Sequence, residues 1–524
     1  MSAQRALGIQ EILCMVINHF NPERWLDTDE LRSGKITLHE LRRSLAGLAR
    51  VSRPFSGPAL CTLWTVMDDL DPLLRLLACC QTVQVESDDS EDEYDAGKII
   101  PEREIDFQDT RLVLSGEISA SEWTRFRHYA GLVRICLHDY HTSIDPSVYL
   151  QLSLYNGDKP LLPNLRHLKW QQRSCNHSEL LHIIGHSLRQ LEFDFVGQTW
   201  VMGRARRRDY ALKALLDNVR SRAPCIEDLH ICNVHHPESL SSLRTWTHLK
   251  HVHIDSVLDF AVLKMLSSLD NLTSLQADIS HIPGKEDSCS GFNALESLEL
   301  EGDSASLEWF FGATDLPRVS SVTVHFSDVA FTELEECRRR LESLQIHIKY
   351  PRLRSLTLRV SCRSDVVPSV PDIIRPFLSM KELEAFGLDF VGPAHLSDAT
   401  VEEITRCWPN LHSLKLDHVF TTVEPSVRAL DILARGCPRL EELVLPSVCH
   451  ESHIPTTPGV RPNGSLRRII FFRAMISDRA RYTRYMRQVF PNAVPALPSL
   501  FYRRPCEDWC LIVDSFRPVH APPI

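Results

Sequence analysis

Apolar residues in this chain fall in short bursts with a fixed internal spacing: one apolar residue, then two more three and five positions later. "PNLHSLKLDHV" at 409–419 is one such burst, with Leu411, Leu414 and Leu416. The same triplet opens at Leu132, Leu165, Leu188, Ile226, Leu249, Leu272, Leu295, Val319, Leu353, Leu383, Leu411, Leu440 and Leu466. The openings at Ile226, Leu249, Leu272 and Leu295 are 23 residues apart, Val319 follows after 24, and the later steps run from 26 to 34. Within a triplet, apolar and polar positions alternate with the period of a strand that buries one face. The stretches between are long enough for a crossover, so the strands are expected to be parallel. "RLESLQI" at Leu341 also fits the spacing but lies 12 residues before Leu353, too close for a strand and a crossover. It reads as part of a helix leading to that strand.

Proline supports the register independently. Six of the thirteen triplets have it two residues upstream, at Pro163, Pro224, Pro317, Pro351, Pro409 and Pro438. About one would be expected from its overall frequency. Proline there ends the preceding helix and turns the chain toward extended geometry.

These bursts resemble the leucine-rich repeat family, in its irregular, helix-containing form, over roughly 120–475. The resemblance implies a right-handed solenoid whose units stack to bury a shared core, with a parallel sheet on the concave face. Asp194, Asp255, Asp389 and Asp417 stand where that family often carries Asn.

Before the triplets the apolar period changes. "LGIQEILCMVINHF" (7–20) places Leu7, Ile12, Leu13, Val16, Ile17 and Phe20 on one helical face; "LHELRRSLAGLARVSRPF" (38–55) does so through Leu41, Leu45, Leu48 and Val51. "GPALCTLWTVM" follows with Trp64. Three short amphipathic helices in some sixty residues make a small bundle.

The bundle resembles an F-box, matched by Leu7, Glu11, Ile12 and Leu13, then Leu48, Val51, Ser52 and Phe55, then Leu63 and Trp64. Gly8 replaces the usual proline, and 22–35 is a polar, acidic insertion. "EWTRFRHYAGLVR" (122–134) is similar to a segment of fungal F-box proteins with leucine-rich tails, through Trp123, Arg125, Phe126, Tyr129, Ala130, Val133 and Arg134. The resemblance implies that Leu7, Ile12, Leu13, Ile17, Leu48, Val51, Phe55 and Trp64 bind a Skp-type adaptor, and through it a cullin. The solenoid would capture an unknown target protein for ubiquitin transfer. Such a receptor acts by effective concentration and needs no chemistry of its own. The same helices also suit a plain cap on the end of the repeats.

Composition narrows the classes further. The net charge is −10 and 43% of residues are apolar, as in an ordinary soluble protein. Neither nucleic acid nor an anionic membrane is an expected partner. No stretch approaches the ~20 apolar residues that span a bilayer, and the N-terminus carries Glu11 inside its apolar run. The expected location is cytoplasmic, nuclear or both, with the sixteen cysteines as reduced thiols.

Two charged runs stand out. "ESDDSEDEYDAG" (86–97) repels itself and should be a disordered loop, with Ser87 and Ser90 suited to an acidophilic kinase. "GRARRRDY" (203–210), with Arg204, Arg206, Arg207 and Arg208, reads as a solvated loop, an import patch or a clamp for an acidic target.

Candidate chemistry is thin. "GHSLR" (185–189) lacks the second glycine of a nucleophile elbow, and Ser187 precedes a strand instead of following one. There is no P-loop or dinucleotide fingerprint. His182 and His186 lie four apart on an expected helix, with Cys175 and His177 upstream, but nothing fixes further metal ligands. No cofactor or metal is expected.

More informative are the polar positions between the inward leucines, which should line the concave face. They are Asp228 and His230; His251, His253 and Asp255; Ser274, Gln276 and Asp278; Ser297, Glu299 and Glu301; Ser355, Thr357 and Arg359; Ser413, Lys415 and Asp417. Of these, Asp228, His230, His251, His253, Gln276, Glu299, Arg359 and Lys415 are the candidate target-binding residues. His230 and His253 would sit on adjacent strands and gain charge below about pH 6.5.

The expected architecture is thus α/β: 1–70 an F-box-like helical module, 71–120 a linker, 121–475 the solenoid, 476–524 a C-terminal helix and capping tail. The leading expectation is a non-catalytic substrate receptor of a Skp–cullin–F-box ubiquitin ligase. The rival is a leucine-rich-repeat scaffold unconnected with ubiquitin.

Overall fold

The computed structural model describes residues 10–26, 37–84, 110–137, 143–172, 178–195, 202–232, 234, 237–280, 289, 291–327, 331, 333–348, 350–362, 366–419, 423–449, 461–475, 478–497 and 507–516. They fall into two compact units, Met1–Lys250 and His251–Ile524.

In the first unit the strands are β1 (Val66–Met67), β2 (Cys80–Gln84), β3 (Thr110–Leu114), β4 (Ile135–Leu137), β5 (Ser143–Ile144), β6 (His167–Gln172), β7 (Gln190–Phe195) and β8 (Asp228–Cys232). In the second they are β9 (His251–Val257), β10 (Ser274–Asp278), β11 (Ser297–Gly302), β12 (Ser321–Phe326), β13 (Ser355–Ser361), β14 (Ala385–Pro393), β15 (Ser413–Val419), β16 (Glu442–Cys449), β17 (Arg468–Met475) and β18 (Val494–Ala496). In the first unit β1, β4, β6, β7 and β8 pair side by side, all parallel. In the second, β9 through β18 pair in chain order, also parallel.

The register follows the triplets. Leu168 pairs with Leu191 and Leu191 with Leu229; in the second unit Val252, Leu275, Leu298, Val322, Leu356, Phe386, Leu414, Leu443 and Ile469 line up strand by strand. All of these are buried, as is the opening residue of each rung from Leu165 to Leu466. The prolines occupy the second residue of a tight turn. Leu165, Val319, Leu353, Leu411 and Leu440 each donate their N–H to the carbonyl three residues back, across Pro163, Pro317, Pro351, Pro409 and Pro438. A fixed φ suits proline to that position.

One rung is corrected. Cys136 pairs with Leu168, so the first predicted triplet opens at the buried Val133 and not at Leu132, which is only half-buried. A rung also precedes it: β1 pairs with β4, Val66 opposite Ile135, and starts straight after the third helix. "RLESLQI" lies in the helix Leu334–His347, whose Cys337, Leu341 and Leu344 face the core.

Two further expectations change. Part of 71–120, expected to be a linker, is ordered: β2 pairs antiparallel with β3, and β3 pairs parallel with β5. The arginine run lies in the helix Met202–Arg222, not in a loop. Near the C-terminus, "CLIV" is part of the helix Glu507–Ser515, and Trp509 there packs edge-on against Phe471 of β17. The acidic stretch 86–97, with Ser87 and Ser90, lies outside the described residues, as does Leu7. Among the described residues no helix is long and apolar enough to cross a membrane.

Candidate functional site

The N-terminal helices are α1 (Gln10–Asn18), α2 (Leu38–Ala49) and α3 (Arg53–Leu63). Thr37 and Glu40 form a reciprocal capping box that starts α2. Leu13, Ile17, Leu45 and Ala59 make the core, with Phe20, Leu48, Ala49, Phe55 and Leu63 packed around it. Of the candidate adaptor-binding residues, Leu13 and Ile17 are therefore interior, Ile12, Leu48 and Phe55 half-buried, and Val51 is 65% exposed. Met15 at 66% and Val16 at 41% are also open to solvent.

Trp64 faces the repeats. Its indole stacks on Tyr129 of the helix Ala120–Ala130, ring centroids 4.7 Å apart. On α2, Arg42 donates to the Val66 carbonyl at 2.9 Å and pairs with Asp68 at 2.6 Å. The "EWTRFRHYAGLVR" segment forms that helix, with Glu122 accepting from the Ala78 N–H and Arg125 donating to the Leu76 carbonyl.

In the second unit the polar positions of successive strands form columns. In one, Gln276 stands opposite His253 and Glu299 opposite Gln276; in the next, Asp278, Glu301, His325, Arg359, Asp389 and Asp417 follow strand by strand. Gln276 donates to Glu299 at 3.2 Å, His325 lies 3.8 Å from the same carboxylate, and Arg359 pairs with Asp389 at 3.2 Å. Lys415 pairs with Glu442 at 2.7 Å. A hollow of about 40 Å³ opens among His253, Asp255, Gln276, Asp278, Glu299, Glu301 and His325. That is room for a water or the tip of one side chain, far below the ~300 Å³ of a small-molecule pocket.

Electrostatics give this face a mixed character. Partial desolvation, then the carboxylates of Asp278 and Asp255, push the Glu301 carboxyl up, while Arg359 pulls it down. Partial desolvation, assisted by Arg359, pushes His325 down, against Glu299 and Asp389. His325 therefore takes its proton below the pH at which an ordinary histidine does.

The candidate target-binding residues divide between the units. Asp228 and His230 lie on β8 of the first, the remainder on the second. His230 Nε2 lies 3.0 Å from Cys232 Sγ. In the first unit His167 sits 2.9 Å from Glu192, and their hydrogen bond holds Glu192 below the usual carboxylate range. His325, Asp389 and Glu442 were missed as site residues, although extending the same alternation to β12, β14 and β16 reaches all three.

The other candidate chemistry does not assemble. His182 is on the short helix Glu179–Ile183, but His186 lies in the turn beyond it, which corrects the expected four-apart pair. Cys175 and His177 lie outside the described residues. The Ser187 hydroxyl donates to the Pro163 carbonyl. Among the described residues no three His, Cys, Asp or Glu side chains group as metal ligands.

No family model and no curated protein matches the chain. Solved structures similar to it include an internalin from Listeria monocytogenes (13% identity, 65% of this chain and 82% of that one, TM-score 0.27). Others are a leucine-rich-repeat protein from Leptospira interrogans (15%, 64% and 75%, TM-score 0.28) and a Bacteroides fragilis protein (11%, 62% and 78%, TM-score 0.30). The parallel strands, the strand-by-strand alignment of their apolar positions and their buried triplets fit the leucine-rich-repeat pattern within each unit.

Proposed function

We propose that the chain is the substrate-recognition subunit of a Skp–cullin–F-box ubiquitin ligase. The N-terminal helices bind a Skp-type adaptor, and the polar face of the strands binds the target. The observation that carries this reading is the solvent-open Met15, Val16 and Val51 on a bundle whose core is already closed by other side chains. Apolar residues left over in this way suit an interface. The polar columns suit a protein surface better than a small molecule, because their charges are spread along many strands over a shallow hollow.

Co-purification tests it. Full-length chain should bring down a Skp-type adaptor, and Met15→Asp with Val51→Asp should abolish the association while leaving the melting temperature unchanged. These variants are cleaner than deleting 1–70, which would also strip β1 from its sheet. If the adaptor never co-purifies, the chain is a scaffold without a ligase.

A further inference from the structure

We infer that the first unit carries a binding site for a small phosphate compound, in a cleft at the end of its strands where they begin. The cleft measures about 490 Å³ and is lined by Arg134, Arg166, Asn164, Ser187, Thr62 and Glu23 among others. That volume is within the range of small-ligand sites.

The arginines belong to a column with a repeating construction. Immediately after each opening residue, one residue donates its N–H to the matching carbonyl of the rung before. Arg166 bonds to Arg134, Arg189 to Arg166, Glu227 to Arg189 and Lys250 to Glu227, all at 2.7–2.8 Å. The backbones of this column are therefore about one strand spacing apart, ~4.8 Å. Further along, charge is balanced: Glu227 lies 3.8 Å from Arg189 and 2.6 Å from Lys250. Arg134 and Arg166 stand on consecutive rungs, and among the described residues no carboxylate lies within ion-pair distance of either guanidinium.

Both arginines line the cleft from neighbouring rungs, so an anion there is attracted by two guanidinium groups at once. The other polar side chains of the wall spend their donors on the protein itself. Asn164 donates to the Gly131 carbonyl and Ser187 to the Pro163 carbonyl, both at 2.7 Å, lashing successive turns together. Thr62 and Thr65 direct their hydroxyl protons to the carbonyls of Pro58 and Cys61. The uncommitted donors are chiefly the guanidinium forks, whose geometry matches phosphate oxygens. Glu23 is the one carboxylate among the lining residues, and it opposes the guest.

The test is titration of the full chain with inorganic pyrophosphate, followed by calorimetry, with inorganic phosphate and a phosphoserine peptide in parallel. Pyrophosphate should bind saturably and more tightly than phosphate. Arg134→Gln and Arg166→Gln should each weaken it about tenfold or more, with the circular dichroism melt unchanged because both side chains are exposed. Glu23→Gln should tighten binding severalfold. Absence of saturable binding, unchanged affinity in the Arg134→Gln/Arg166→Gln double variant, or weaker binding in Glu23→Gln would overturn the site. Binding of the phosphopeptide alone would overturn its assignment to a small molecule.

Discussion

The Trp64 indole lies on the Tyr129 ring at 4.7 Å and 30°, joining the end of the N-terminal bundle to the helix that leads into β4. Between them runs a second tie, the Thr65 carbonyl accepting both the Arg134 and Ile135 N–H groups. The helical module is thereby continued by a strand pairing, with no flexible hinge at this point. Trp64→Ala should cost about 2 kcal/mol, less than the ~3–5 of a fully buried indole because Trp64 is only half-buried. Trp64→Phe should recover most of that. Chemical denaturation measures both.

Surface and core of the bundle should separate cleanly. Val51→Asp and Met15→Asp should change stability by no more than about 0.5 kcal/mol, whereas Leu13→Ala, in the core, should cost ~2–5 kcal/mol. A Val51→Asp protein that unfolds would show that Val51 packs against something in solution.

The strands predict the same contrast. Leu414 is buried without residual exposure, so Leu414→Ala should cost ~2–5 kcal/mol in urea melts. Lys415 beside it points to solvent and pairs with Glu442. Lys415→Ala should cost less than about 1 kcal/mol and should register instead in the affinity for a target.

The Glu301 carboxyl is pushed up, so its protonated form is favoured in the folded chain. The stability it contributes is present at acid pH, below its unfolded pKa, and is lost as pH rises through the higher folded value. Arg359 opposes the shift, so Arg359→Gln should move the Glu301 titration higher still. Carboxyl carbon chemical shifts followed against pH would read this, and a downward movement would contradict the assigned field. A cationic peptide bound at the hollow should release protons near the Glu301 pKa, because it favours the ionised form.

Most of the sheet was legible because a half-buried strand writes its period into the sequence and a turn proline marks its start. The first predicted rung slipped because Leu132, Val133, Ile135 and Cys136 are all apolar and admit two registers; pairing with β1 and β6 selects one. β1 itself, Val66–Met67, is too short to show any period. The pair β2 and β3 escaped notice because its halves are far apart in sequence, and strand pairing at that distance leaves no local trace. The arginine run read as a loop by its charge, although Arg is a good helix former and the periodic "LKALLDNV" continues from it. At the candidate site, alternation gave the columns but not their pairings. That Arg359 chooses Asp389, and Lys415 chooses Glu442, depends on side-chain reach across neighbouring strands.

Most rungs, such as those opening at Leu165, Leu249 and Leu411, reset themselves through a turn of their own, whatever length of chain arrives there. Segments joining one strand to the next can therefore grow, shrink or be exchanged without disturbing alignment downstream. A lineage of such chains can reshape its outer surface by small insertions while its hydrogen-bonded interior is inherited unchanged.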